Sequence, residues 1–131
     1  MDEYLLTILG SSADYFYEAD SYPVEGDFSH GRYAGMFAGG CPLNVGAVCA
    51  SKGIRVKALD MLGKDDETTP FLLDELKKFN IDTENIIIQK EVANGKVVII
   101  VTGEKRTMFV IDPIRPTYVI DDRIQGLLND A

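Results

Sequence analysis

The chain has 131 residues, 46% of them hydrophobic, and carries a formal net charge of −8. That length supports one modest core, and the absence of low-complexity tracts and internal repeats argues against disorder. The negative balance excludes binding along a nucleic-acid backbone, which needs clustered Lys and Arg, although a small anion can still be held locally. No apolar run is long enough to span a membrane. The start, "MDEYLLTILG", is acidic where a signal peptide is basic. Cys41 and Cys49 do not form a disulfide framework, and His30 is the single histidine, so no zinc-ligand spacing arises. Together these features read as a reduced, cytoplasmic protein with no metal site and no nucleic-acid or membrane partner.

"YLLTILG" (4–10) has the near-continuous apolar run of a central parallel strand ending at Gly10. Residues 15–37 are aromatic, glycine-rich and broken by Pro23, which reads as short extended segments joined by turns. In "AGGCPLNVG" (38–46), Pro42 suits the first position of a helix, where its missing N–H costs nothing. Val45, Val48 and Cys49 then make an apolar face, and Gly53 stands where a helix ends.

"IRVKALDML" (54–62) reads as a strand. "TPFLLDELKKFN" (69–80) predicts a helix with Thr69 as N-cap and Pro70 next. Leu72, Leu76 and Phe79 line its face, and Asn80 stops it in a left-handed conformation. "NIIIQ", "KVVIIVT" and "RTMFVI" are further strands, with turns at Asn94-Gly95 and Gly103. "DDRIQGLLNDA" reads as a capped helix with Ile124, Leu127 and Leu128 on one face. Strand–helix–strand–helix alternation predicts an α/β fold with a parallel sheet. Segments 15–37 and 86–111 stand outside that alternation as extra antiparallel strands.

The double glycine Gly39-Gly40 admits three readings: a phosphate cradle, a pocket in which Asn44 reads a polar ligand, or a tight turn. Asp14, shortly after the first strand, either accepts hydrogen bonds from a ligand or caps its own turn. Ser12, on the same loop, either adds a hydroxyl contact or is a turn serine. Cys41 has no recognisable base nearby and carries no nucleophilic role. Asp65 and Asp66 read as loop and helix-cap residues rather than metal ligands. Gly26-Asp27 of "EGDF" has no helix pattern after it.

The order of these motifs resembles the ribokinase-like, or PfkB, family of sugar kinases. Asp14 follows the opening strand. Gly39, Gly40 and Asn44 match the family's GGxxxN pattern at a helix start. "GIRVKALDMLGKDD" resembles its strand followed by G-x-D, with Gly63 and Asp65 in the matching places. "LLDELKKFNIDTENI" resembles its helix followed by G-[IV]-D-T, and "NGKVVIIVTGEKRTMFVI" its hairpin. There are departures: Asp60 stands where a glycine is common, Thr68 replaces another, and Asn80 a third.

The resemblance implies the N-terminal part of a ribokinase-like Rossmann-type parallel sheet over residues 1–131, with a small β-lid from residues 15–37 and 92–112. It implies substrate contacts at Asp14, Gly39, Gly40 and Asn44, beside which Ser12 either adds a hydroxyl contact or is a turn serine. In the family the G-x-G-D motif, whose Asp is the general base, and the ATP site lie in the second half. This sequence contains neither, nor a G-x-x-x-x-G-K-[ST] motif. ATP and Mg2+ are therefore implied for the complete kinase, with none expected on this chain and no catalytic residue in it. Three expectations stand side by side: part of a sugar or nucleoside kinase that is inactive alone, a stand-alone sugar-binding module, or an assembly piece that forms a homodimer through the lid strands.

Overall fold

The computed structural model describes residues 3–131. The chain begins with β1 (Leu5–Ile8), β2 (Ser12–Ala19), β3 (Gly31–Gly39), α1 (Cys41–Ser51) and β4 (Val56–Gly63). It continues with α2 (Thr69–Lys78), β5 (Ile81–Asp82), β6 (Ile86–Gln89), β7 (Gly95–Thr102), β8 (Lys105–Ile111) and α3 (Asp122–Asp130).

The core sheet is parallel throughout and centred on β4. Strand β1 flanks it on one side, from Leu5 against Val56 to Ile8 against Leu59. On the other side β5 covers the start of β4 and β6 covers its end, from Asp60 against Ile86 to Gly63 against Gln89. Every residue of β4 except Lys57 is buried, the signature of a strand covered on both faces. The expectation that β1 is central is corrected: among the described residues it is an edge, and β4 takes the centre.

Helix α1 lies on this sheet through small residues. Its buried positions are Leu43, Gly46 and Ala50, whereas Val45 and Val48 are 55% and 62% exposed. The bulkiest apolar residues misassigned the face. A Cβ at Gly46 would meet Ile81, Thr7 and Val56 at 3.2–3.3 Å, so the helix sits too close to the sheet for anything larger. Leu43, Ala50, Val56, Ala58, Leu76 and Ile81 form the core cluster.

The second sheet has strand order β3-β2-β7-β8. Its outer pairs are antiparallel, but its central pair, β2 with β7, is parallel. This corrects the reading of all these segments as antiparallel. The cause is topological: β1 and β6 flank β4 in the same direction, and each continues into the second sheet, so β2 and β7 leave the core the same way. Strand β6 itself, read outside the alternation, belongs to the core sheet. Residues 15–37 hold long strands rather than short segments. A register shift between Phe16 and Tyr17 bends β2. Phe16 packs edge-on against Phe37 at 5.3 Å, and Tyr17 against Tyr33 at 5.6 Å.

Helix α2 starts one residue earlier than read, with Thr68 at the N-cap and Thr69 as its first residue. Leu72 and Leu76 are buried as expected, but Phe79 is 38% exposed, being the residue at which the helix ends. Asn80 has the left-handed φ of 61° that stops it. The cap itself comes from Asp66, whose Oδ1 accepts from the Thr68 amide (2.9 Å) and hydroxyl (2.6 Å). Its Oδ2 accepts from the Asn94 amide (2.9 Å) and from Lys96 Nζ (3.0 Å).

Asn94, read as a turn residue, is instead 3% exposed and a hub. Its Oδ1 accepts from the Gly63 amide at 2.8 Å, and its Nδ2 donates to the hydroxyls of Thr68 and Thr69. The end of β4, the start of α2 and the start of β7 are thereby tied in one satisfied network. Helix α3 is capped by Asp121, which accepts from the Ile124 amide at 2.8 Å, and Ile124 is its buried residue. Among the described residues no helix is long and apolar enough to cross a membrane.

Candidate functional site

Three sequence-predicted residues come together where the two sheets meet. Asp14 is the third residue of β2, not a loop residue, and lies across from Phe37 on β3. The alternation of Ser12, Asp14 and Phe16 with Ala13 and Tyr15 is the period of a strand, and it places Ser12 and Asp14 on one face. The Ser12 hydroxyl donates to Asp14 Oδ1 at 2.7 Å, which leaves accepting capacity on the carboxylate. Ser12 also lies opposite Gly39 in the sheet. A Cβ at Gly39 would fall on the Asp14 carboxylate. Glycine at 39 is thus the space in which Asp14 stands.

Gly40 follows as the N-cap of α1, with φ 101° and ψ 140°, a conformation that suits glycine alone. A Cβ there would collide with the carbonyl oxygen of Gly10. The β1–β2 connection and the start of α1 therefore touch backbone to backbone. Asn44 lies in the first turn of α1, its amide N–H bonded to the Gly40 carbonyl at 2.9 Å. Its side chain is exposed and makes no hydrogen bond to Asp14. The structure sets Asn44 in the first turn after the glycine pair, with its side chain exposed.

This arrangement suits a neutral, hydroxyl-bearing molecule. A carboxylate accepts from two vicinal hydroxyls, an amide donates and accepts, and exposed backbone at a glycine pair permits close approach. It does not fit a nucleotide phosphate, because the Asp14 carboxylate already lies against Gly39 at the N-terminus of α1 and repels a second anion. Among the described residues no three of His, Cys, Asp and Glu stand close enough to hold a metal ion. Cys41 and His30 are exposed.

One neighbouring cluster escaped the sequence reading. Asp60, in the middle of β4, is 2% exposed. Its Oδ2 accepts from the Ser11 amide at 3.1 Å, and its Oδ1 from the Met61 amide at 2.8 Å. Arg115 stands 4.0 Å from Oδ1. The Tyr118 hydroxyl is buried without a hydrogen-bond partner. Burial first, and then the charge of Asp60, push it up to about 12, against the opposing pull of Arg115. A carboxylate among the apolar residues of the strand's second half was the available signal. What it binds lies 49 residues away at Ser11, and sequence spacing does not show it.

The second sheet holds one further perturbed group: the Tyr15 hydroxyl is raised by burial, and then by the negative charge of Glu67. Beside it, Asp66 is pulled down to about 2: burial raises it, but the hydrogen bonds from Thr68, Asn94 and Lys96 outweigh that.

Residues 5–115 match the family model described as pfkB family carbohydrate kinase. No curated protein matches the chain. Among solved structures, the protein called Sa239 is 28% identical, with a TM-score of 0.71, over 81% of this chain and 36% of that one. Ribokinase from Arabidopsis thaliana, complexed with ribose and ATP, is 17% identical, with a TM-score of 0.79, over 98% of this chain and 43% of that one. Fructokinase from Halothermothrix orenii is 21% identical, with a TM-score of 0.71, over 94% and 42%. At those identities the last two speak for the fold alone. The chain spans less than half the length of each of the three. With most of its length matched by the family model, the chain belongs to the pfkB family of carbohydrate kinases.

Proposed function

We propose that this chain is the N-terminal, substrate-holding part of an ATP-dependent kinase that phosphorylates a hydroxyl of a sugar or nucleoside. The observation that carries the reading is the Asp14 carboxylate, set into the space left by Gly39 and held by Ser12. Asp14, Ser12, Gly39, Gly40 and Asn44 form the substrate side of the pocket, and the second sheet is its lid. ATP and Mg2+ belong to the complete kinase, where they supply the transferred phosphoryl group and the charge that stabilises its passage. The chain alone is then inactive, and its own contribution is to position the accepting hydroxyl. The family model supports this choice of ligand class, being that of a carbohydrate kinase.

The test is calorimetric titration with D-ribose, D-fructose and adenosine, in this chain or in the complete kinase if the chain binds none. Asp14→Ala is expected to weaken binding by about ten- to a hundredfold, the worth of a charged hydrogen-bond acceptor at roughly 1.5–3 kcal/mol. Its thermal midpoint should move little, because the carboxylate is only partly buried. An unchanged affinity would sink the assignment of Asp14.

A homodimer through the lid strands is a second part of the proposal. Strand β8 exposes Met108 (59%), Phe109 (69%) and Val110 (60%), and β3 exposes Tyr33 (60%) and Phe37 (57%). Exposed apolar area of this kind is a common interface signature. Ile99 is excluded from it, since at 3% exposure it is covered within the chain. Light scattering after size exclusion should give a mass that rises with concentration toward that of two chains. Phe109→Glu should return it to one. A monomer at every concentration would refute the interface.

A further inference from the structure

We propose that Asp60 is a positioning residue: it pins the entry and exit connections of the second sheet to the central core strand, and so fixes where Ser12 and Asp14 stand. The last step rests on the sugar-binding reading above; the pinning itself does not.

The argument starts from cost. A buried charge is unfavourable unless it is paired and hydrogen-bonded, and replacing a whole buried ion pair by apolar residues is often neutral or stabilising. Asp60 sits in a strand that is otherwise apolar over its buried positions and is itself 2% exposed. Stability of the core alone gives no reason for a carboxylate there. Its partners supply a reason.

Beyond its own neighbour Met61, Asp60 reaches two places. One is the amide of Ser11, the residue immediately before β2. The other is Arg115, in the segment that leaves β8. These are the points at which the second sheet begins and ends. The exit is anchored alongside, because Ile114 pairs with Ala93 through two backbone hydrogen bonds of 2.8 and 2.9 Å. Tyr118, three residues beyond Arg115, packs its hydroxyl into the same cluster without a hydrogen bond. Asp60 and Arg115 face each other there at 4.0 Å.

The connection pinned at Ser11 has little slack. Gly10 presses its carbonyl against Gly40, and a Cβ at Gly10 would meet the Pro42 ring at 3.0 Å. Ser12 follows directly and donates to Asp14. Releasing Ser11 frees the one end of β2 that carries the site. Asp60 touches no predicted ligand contact itself, so it acts through the loop.

The test uses the full chain with Asp60→Ala and Asp60→Asn, followed by hydrogen exchange. In Asp60→Ala, residues 9–14 and 113–118 should exchange about tenfold or more faster, while α2 keeps its wild-type rate. Asp60→Asn retains its one acceptor oxygen for the Ser11 amide, gives up the bond from the Met61 amide and loses the charge facing Arg115. It should protect residues 9–14 nearly as well as wild type and loosen only 113–118. This split is the readout that a merely structural role would not produce. Unchanged exchange of residues 9–14 in Asp60→Ala overturns the proposal, as does uniform loosening that includes α2 in both variants. If Asp60→Ala does not fold, Asp60→Asn decides: unchanged exchange of 113–118 overturns the pinning.

D-Ribose titration then separates the two layers. If wild type binds D-ribose, Asp60→Ala should bind it about tenfold or more weakly, with part of the loss restored in Asp60→Asn. An unchanged Kd overturns the link to the site. If neither this chain nor the complete kinase binds D-ribose, D-fructose or adenosine, that result counts against the sugar reading, and the exchange data still decide the pinning.

Discussion

Gly40→Ala is expected to destabilise the chain by about 3 kcal/mol or more, lowering its thermal midpoint by roughly 10 °C. Two costs combine. The backbone at Gly40 has φ 101°, where any side chain is strained, at about 1–3 kcal/mol. The new Cβ also falls on the Gly10 carbonyl oxygen, and relieving such overpacking costs typically about 1–3 kcal/mol. Backbone cannot rotate aside as the far end of a side chain can, so the β1–β2 connection must move. Gly26→Ala provides the control. Gly26 has φ 80° but nothing within 4 Å, so that variant carries the conformational cost without the collision. Gly40→Ala should therefore cost at least twice as much in chemical denaturation. Equal losses would mean that the loop yields freely, which would also weaken the case that its position is fixed.

The difference between the legible and the hidden parts of this molecule follows the range of the interactions. Strand β4 could be read as a strand because most of its residues are apolar, and Asn80 because a left-handed stop is a local requirement; which strand is central could not, since the near-continuous apolar run of residues 4–10 lies at the edge. The face of α1 could not. Its packing depends on how closely Gly46 approaches Thr7, Val56 and Ile81, and the two valines that looked like the apolar face are outside it. The direction of β7 against β2 was hidden for a related reason. A hairpin-like pattern says that strands pair, but the direction of the central pair is set by β1 and β6 flanking β4.

The site shows the same division. The positions of Gly39, Gly40 and Asn44 follow from a short motif at a helix start, whereas Asp14, read as a loop residue after the first strand, stands inside β2. The reason for Gly39, space for the Asp14 carboxylate, required the register of β2 against β3. Asn94-Gly95 looks like a turn, and the chain does start a new strand there. The Asn94 side chain instead serves the interior, where it joins residues 25, 26 and 31 positions away. Side-chain amides satisfy buried backbone in this way wherever three elements meet, and their local sequence does not distinguish that use from a turn.

Asp66→Ala is expected to cost about 3 kcal/mol at pH 7, and most of that difference should vanish in acid. The Asp66 side chain is 5% exposed and the Lys96 side chain opposite it 24%. Removing the carboxylate leaves the Lys96 ammonium half-buried, the Asn94 amide without its acceptor, and the start of α2 without its cap. The sign of the pH dependence follows from the carboxyl itself, which is held at about 2 in the folded chain against 3.8 when free. A depressed value stabilises the fold above the free value and is lost as pH falls through the folded one. The difference is worth about 2 kcal/mol, fully present above about pH 5 and fading toward pH 2. Thermal melts of wild type and Asp66→Ala from pH 7 to pH 2 should show a gap that is constant down to about pH 5 and then narrows. The residue of the gap at pH 2 measures packing and capping without the charge. A gap that stays constant over the whole range would show that folding does not depress the Asp66 carboxyl, and that its charge adds nothing to stability beyond the packing and capping it provides.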